Sequence, residues 1–279
     1  GVGPDGAVDP RRAVRYQASN VAAAVSRARS RGSEIALHGL DAWRDSSAAR
    51  LERSEIADVA GQAPTGVRMH WLYFDRESAT RLEAVGFTYD STWGYNDAVG
   101  YRAGTSQVFR LLDARNLLEL PMSIMDSALL FPNRMQLTSS DALRLSEMIV
   151  DQATRFGGVV VVNWHDRSLA PERLWIRCYR GLLAYIRRGD RVWFATANQA
   201  VAWYRWRRSI RFSRHANSTE ILMIAAERDP ALPAAVLKRY NAAAESASMT
   251  EERFDGATVG HVLVGCATAV NLAWQSRAN

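Results

Sequence analysis

The sequence predicts an α/β architecture with a barrel-like parallel sheet, and three observations lead there. Continuous apolar runs such as "VVVVNWH" read as strands buried on both faces. Amphipathic segments separate these runs, so strand and helix alternate as in a sheet covered by helices or closed into a barrel. Three of the five histidines, His38, His70 and His165, fall at or near predicted strand ends, the edge on which such barrels carry their chemistry.

Taken in order, residues 11–30 space Val14, Tyr16, Val21, Ala24 and Val25 at helical intervals and stop at Arg31-Gly32. "EIALH" (34–38) is the next strand, followed by a helix over 46–61 with Ser46 or Ser47 as cap and Gly61 as terminator. "GVRMHW" (66–71) reads as a strand, "SATRLEAVG" (78–86) as a helix stopped by Gly86, and "FTYDST" (87–92) as a strand. "LLELPMSI" (117–124) is strand-like but carries Pro121, which suits an edge or a bulge. A capped helix over 139–158, the strand "VVVVNWH", a long amphipathic helix over 170–189 and a last strand "VWFATA" complete the pattern. From Gln199 the pattern changes. The division predicted is a barrel domain over 1–208 and a small β-rich accessory segment over 209–279.

At 279 residues and 48% hydrophobic the chain can bury a full core. Its net charge of +6 comes almost wholly from arginine, Lys238 being the sole lysine, and favours anionic partners. Cys178 and Cys266 have no CxxC spacing, so neither a zinc ribbon nor a disulfide framework is indicated. No apolar run reaches the roughly 18 residues of a membrane span. The stretch 203–214 alternates tryptophan with arginine, a pattern open to nucleic-acid stacking or an anionic membrane surface. The plainer reading is a helix that packs its tryptophans and solvates its arginines. "NST" at Asn217 fits a glycosylation acceptor by pattern alone, and His215 and His261 have no evident partners.

Histidines gathered at one mouth suit hydrolysis by a bound divalent ion, which lowers the pKa of a water and polarises a carbonyl. A further histidine off the metal can protonate a leaving amine. His38-Gly-Leu-Asp41 would bring imidazole and carboxylate to one side if a helical turn starts there, a partial metal site. The alternative for each histidine taken singly is a hydrogen-bonded structural residue.

"EIALHG", "GVRMHWLYF", "GFTYDSTWGY", "LLELPMSI" and "VVVVNWHDRS", in that order over residues 33–200, resemble the polysaccharide deacetylases with the NodB homology domain, the fourth family of carbohydrate esterases. The resemblance implies a distorted seven-stranded (β/α) barrel that uses a divalent metal, commonly zinc, to remove acetyl groups from sugar polymers. Carried over, His38 matches the first metal histidine. The second, due at i+4, is replaced by Ala42, with Asp41 the nearest substitute and Asp45 a weaker one. Arg68 matches the arginine that braces a catalytic aspartate, and His165 the late histidine that acts as general acid, with Asp166 as its partner. Asp90 and Trp93 match the motif that shapes the substrate groove. His70 stands where many members have proline or an aromatic residue, and is assigned to substrate or to support of the metal. Tyr95, Tyr101 and Arg102, in a Gly- and aromatic-rich stretch, are expected over a saccharide or in an aromatic-anchored surface loop; Asp126 is a further groove candidate.

The front of the chain departs from the pattern. Family members open on a strand bearing an aspartate pair and continue with a second strand, and neither is visible before residue 33. Asp5 and Asp9 lie in turns and are poor replacements. The expectation is a barrel incomplete at its N-terminus, its first two strands lying upstream of Gly1. Three readings follow: a metal-dependent deacetylase acting on an acetylated saccharide; a catalytically silent carbohydrate-binding relative, motivated by Ala42 and the absent aspartates; and a basic nucleic-acid-binding protein, supported only by charge and the 203–214 stretch.

Overall fold

The structure, a computed structural model, describes residues 17–189, 192–214, 220–224, 227–241, 248–254, 260–263 and 268–274. Asp5, Asp9, His215, Asn217 and Cys266 lie outside them. The chain divides into two units. The first comprises Gly1–Tyr185 with Thr196–Asn198, the second Ile186–Ala195 with Gln199–Asn279.

In the first unit, strands and helices alternate as the apolar pattern requires. A 3-10 turn leads into α1 (Ala22–Ser30), then β1 (Leu37–Gly39), α2 (Ser46–Ala60), β2 (Gly66–Met69), α3 (Ser78–Val85) and β3 (Tyr89–Asp90). β4 (Phe109–Arg110), β5 (Leu118–Glu119), β6 (Met122–Met125), α4 (Asp126–Leu130), α5 (Ser139–Phe156), β7 (Val161–Asn163) and α6 (Ile176–Arg187) follow. One sheet runs β1-β2-β3-β5-β4, parallel except for β4, which is antiparallel to β5; β6 and β7 form a second, parallel pair. The described strands thus make an α/β fold with parallel sheets of the expected kind.

Pro121 explains why "LLELPMSI" makes two short strands. Proline cannot donate to a ladder, so β5 ends before it and β6, beginning just after, pairs with β7 instead. α2 is capped by Asp45, whose carboxylate accepts from the Ser47 amide at 2.7 Å, one residue earlier than the predicted caps; such a cap is worth about 1 kcal/mol. Gly61 closes the helix at φ 70°, a left-handed conformation that glycine adopts without a Cβ penalty. The long helix predicted over 170–189 is shorter: Pro171–Arg173 form a 3-10 turn, Leu174 takes a left-handed φ of 59°, and α6 starts only at Ile176. "VWFATA" is not a strand; its residues have no regular structure up to the start of α7 (Ala197–Ser209).

α2 and α3 pack over the larger sheet. Leu37, Val67, Met69, Leu82, Phe87 and Leu117 form the centre of that core, with Ala42 and Ala49 filling the tight places. Gly66 is required there, because a Cβ would run into the Tyr89 ring. Tyr89 in turn donates to Glu34 Oε1 at 2.7 Å, and Glu34 Oε2 accepts from the Asn198 amide at 2.8 Å.

The second unit contains most of α7 and the strands β8 (Arg211–Arg214), β9 (Glu220–Ile224), β10 (Ala235–Asn241), β11 (Ser248–Phe254), β12 (Gly260–Leu263) and β13 (Thr268–Trp274). They form two antiparallel sheets, β12-β9-β8 and β11-β10-β13. The aromatic residues of α7 are buried. Trp203 Nε1 donates to the Pro233 carbonyl at 3.0 Å, and Trp206 stacks on Phe254 with centroids 6.2 Å apart. They are therefore core rather than a stacking platform for bases. Among the described residues no helix is long and apolar enough to cross a membrane.

Candidate active site

Parallel strands deliver four of the polar residues to their C-terminal ends. Asp126 follows β6 and His165 follows β7 by two residues; the two strands are in register at Met125 and Asn163. The Asp126 carboxylate is fully buried and grips His165 twice, accepting from Nδ1 at 2.6 Å and from the backbone amide at 2.9 Å. Burial works to raise the Asp126 pKa, but hydrogen bonds from His165 outweigh it and hold it below the ordinary carboxylate value. Asp166, the partner expected from sequence, instead accepts from the Arg167 amide in an exposed turn. A residue adjacent in sequence to His165 points elsewhere, whereas the neighbouring strand supplies the carboxylate.

His38 on β1 sits beside Arg68 on β2 in the parallel register, and His70 follows β2 directly. His38 Nε2 and His70 Nδ1 are 3.0 Å apart, with their rings edge to face. The backbone after His70 is unusual: Trp71 and Leu72 take positive φ values of 59° and 57°, conformations costing about 1–3 kcal/mol each. Asn96 Nδ2 helps to hold that turn by donating to the Trp71 carbonyl at 2.7 Å. On the other strand, Glu52 of α2 accepts from the Leu40 and Asp41 amides at 3.0 and 2.8 Å, fixing the loop after His38. Burial, then the neighbouring basic groups of His70, Arg68 and His165, lower the His38 pKa to about 4. At neutral pH it is an uncharged imidazole, the form in which histidine binds metals.

Asp41 does not converge with His38. Its Oδ1 accepts from Arg44 Nε at 3.0 Å and pairs with Nη2 at 2.9 Å. Ala42, at the i+4 position, is fully buried in the core between sheet and helix. Among the described residues no group of three or more His, Cys, Asp and Glu side chains is arranged to hold a metal ion. Imidazole nitrogens such as those of His38 and His70 are nevertheless of the donor type that zinc takes, so the described residues fit such an ion as two ligands.

Beneath this rim lies a second set of charges. β3 and β5 are in register at Asp90 and Glu119, and both carboxyl groups are fully buried. Asp90 Oδ1 accepts from the Ser91 amide and from the Thr92 hydroxyl, and Glu119 Oε1 accepts from the Trp93 amide at 2.9 Å. Asp90 Oδ2 and Glu119 Oε2 are buried with no amide, hydroxyl or basic donor, and the two carboxyl groups interact with one another. Burial raises Asp90 to about 7, and burial together with the Asp90 charge raises Glu119 well above its ordinary value. Arg68 donates from Nε and Nη2 to Ser91, at 2.9 and 2.8 Å, and its charge opposes both shifts. An open cavity of about 480 Å³ lies against His38, Arg68, Ser91, Glu34, Tyr89 and Val161.

The remaining sequence-predicted residues are spread. Asp90 is interior, below the rim rather than on a groove wall. Trp93 packs on the core between Phe74 and Phe109, with the Arg102 guanidinium 5.9 Å from its ring centroid. Arg102 also donates to the Gly94 carbonyl at 3.2 Å, and Tyr101 donates to the Val159 carbonyl at 3.1 Å. Only Tyr95 of this group is an exposed aromatic ring, at 38%. Three pairings escaped sequence reasoning: Asp126 with His165, His38 with His70, and Asp90 with Glu119. A signal existed for two of them, since Glu119 and Asp126 are acidic residues set in or directly after apolar strand runs.

No family model and no curated protein sequence matches the chain. Solved structures do. A protein described as a polysaccharide deacetylase from Mycobacterium smegmatis aligns over 69% of this chain and 70% of its own, with 24% identity and a TM-score of 0.54. One so described from Pseudomonas aeruginosa PAO1 aligns over 67% and 65%, with 18% identity and a TM-score of 0.51. An allantoinase aligns over 66% and 63%, at 15% identity and a TM-score of 0.51. The chain thus spans less than two thirds of the length of the last two. At these identities the likeness is one of fold, and the chain has the α/β fold of the polysaccharide deacetylases that its sequence resembles.

Proposed function

We propose that the protein is a hydrolase of the deacetylase type, removing acetyl groups from an N- or O-acetylated saccharide, with His165 as its proton carrier. The observation that carries this reading is the buried Asp126 clamped on His165 at the ends of two parallel strands, with His38 and His70 at the ends of two others. Amide hydrolysis moves the hydroxyl of water to the acetyl carbon and its proton to the departing nitrogen. Asp126 orients the ring through Nδ1 and leaves Nε2 to meet the substrate. An imidazole held in this way can take the proton from water and return it to the leaving group. A divalent ion, zinc by preference, held at His38 would polarise the acetyl carbonyl and lower the pKa of a water. The exposed Tyr95 ring offers a face to a sugar, and Arg102, pinned over Trp93, offers a charge beside it.

A second reading, a catalytically silent saccharide-binding relative, draws on the lack of a three-ligand metal group among the described residues. Acetate release from N-acetylglucosamine oligomers, measured with added zinc and then with chelator, separates the two. Zinc-dependent release that is lost in His165→Ala supports the hydrolase. Oligomer binding without any release, by a folded protein, supports the silent relative.

A further inference from the structure

The His38–His70 contact points to a metal seat different from the one the sequence suggests. In the first reading His38 is joined by Asp41, three residues further along the same segment. The structure disfavours that pairing on three counts. Arg44 occupies the Asp41 carboxylate from two of its nitrogens. Glu52 fixes the Asp41 backbone. Position 42, from which a second imidazole would come at helical spacing, holds a fully buried alanine. What does converge on His38 is an imidazole from the adjacent strand, with Nδ1 of His70 3.0 Å from Nε2 of His38.

We propose that His38 and His70 together form a cross-strand two-imidazole seat for a divalent transition-metal ion of the zinc class, and that Asp41 is not a ligand. This deepens the hydrolase reading and rests on it only for the ion's purpose, not for its binding. Two nitrogens each about 2.0–2.1 Å from a tetrahedral ion lie about 3.3 Å from one another, so the observed separation needs to open by only a few tenths of an ångström. Imidazole pairs favour zinc, copper and nickel over magnesium or calcium, which take oxygen ligands. The other coordination positions, with no third His, Cys, Asp or Glu among the described residues, fall to solvent or to a substrate oxygen. The left-handed turn at Trp71 and Leu72 would hold His70 in place as a ligand despite its position outside the strand.

Arg68 is the evident objection, since it lies beside His38 in the register and repels a cation. The carboxyl groups of Glu119 and Asp90 below offset its charge to the extent that they are ionised, which lessens the repulsion. Binding is therefore expected to be weaker than at a closed three-ligand site and selective by ligand softness rather than by charge.

The test uses the full chain and cobalt(II) or zinc(II) chloride alone, without saccharide. Titration followed by the cobalt d–d absorption band and by calorimetry is expected to give one ion per chain. His38→Ala and His70→Ala should each weaken it at least tenfold, and Asp41→Asn should change it less than about twofold. His70→Cys should restore binding and add a thiolate-to-cobalt charge-transfer band, which guards against misreading a variant that merely folds poorly. Unchanged affinity in His70→Ala, loss in Asp41→Asn, or no binding by the folded protein would each overturn the proposal. None of these readouts depends on deacetylation, so an ion bound at this seat by a protein that releases no acetate would refute the hydrolase reading and leave the seat standing.

Discussion

Asp126 at the rim and the Asp90–Glu119 pair beneath it are equally hidden from solvent, each with 0% exposure, yet they treat protons in opposite ways. Asp126 receives three donors, the Ser127 amide, the His165 amide and His165 Nδ1, and stays ionised below the usual range. At Asp90 and Glu119 burial outweighs the donors each receives, and at Glu119 the Asp90 charge adds to it, so both are driven toward the neutral acid. Burial alone does not set the charge of a carboxyl group. The donors set against burial decide it, and here they separate a carboxylate suited to steering a histidine from a pair that retains a proton.

The widest test of that contrast is Asp126→Asn. The amide cannot hold the same imidazole tautomer, and kcat for acetate release is expected to fall by about 10²–10⁴ with unchanged circular dichroism. Combined with His165→Ala the loss should not multiply, because the two act as one unit. A variant retaining most of its activity would break the distinction. Next comes Arg68→Met, which removes two hydrogen bonds to Ser91 and the charge that opposes protonation of the lower carboxyl pair. Urea unfolding should show a loss of about 1–3 kcal/mol, the cost of leaving a buried acceptor without its donor.

Glu119→Gln sharpens the comparison through pH. A carboxyl whose folded pKa is raised binds its proton more tightly folded than unfolded, so its contribution to stability is full below the unfolded value and is lost as pH rises. For Asp90 that window runs from its ordinary 3.8 to about 7. Melting temperatures of the parent are expected to decline across it, and Glu119→Gln, by removing a second carboxyl whose own value is raised, should flatten the decline. An identical slope in the variant would mean that Glu119 does not hold its proton as this comparison requires. Asp166→Ala should do least, leaving activity within about twofold and stability within about 0.5 kcal/mol, since that side chain only caps its own turn.

What the sequence made legible follows from periodicity, and what it hid follows from pairing. The strand–helix alternation, the Gly61 and Gly86 stops and the strand-end placement of His38, His70 and His165 are local properties, readable from neighbours along the chain. Register is not local. Nothing in "HGLDAW" says that Asp41 turns to Arg44, and nothing in "NWHDRS" says that His165 passes over Asp166 for a carboxylate 39 residues earlier. "VWFATA" misled because an apolar run without a partner strand has nothing to pair with. The Arg-Trp stretch, by contrast, was legible as a packed helix, and Trp203 and Trp206 are buried in the core of their own unit.

Ala42 carries one further consequence for anyone who would rebuild the site. Restoring the His-x-x-x-His spacing of the resembled family takes a single change, Ala42→His, and looks like a repair. Yet that methyl group has no exposed surface and is walled in by the core under α2 and α3. An imidazole there must displace its neighbours, at about 1–3 kcal/mol or more, and a lower melting temperature with no gain in cobalt affinity is the expected readout. The direct route back is closed by packing, and the cross-strand histidine is the route this fold leaves open.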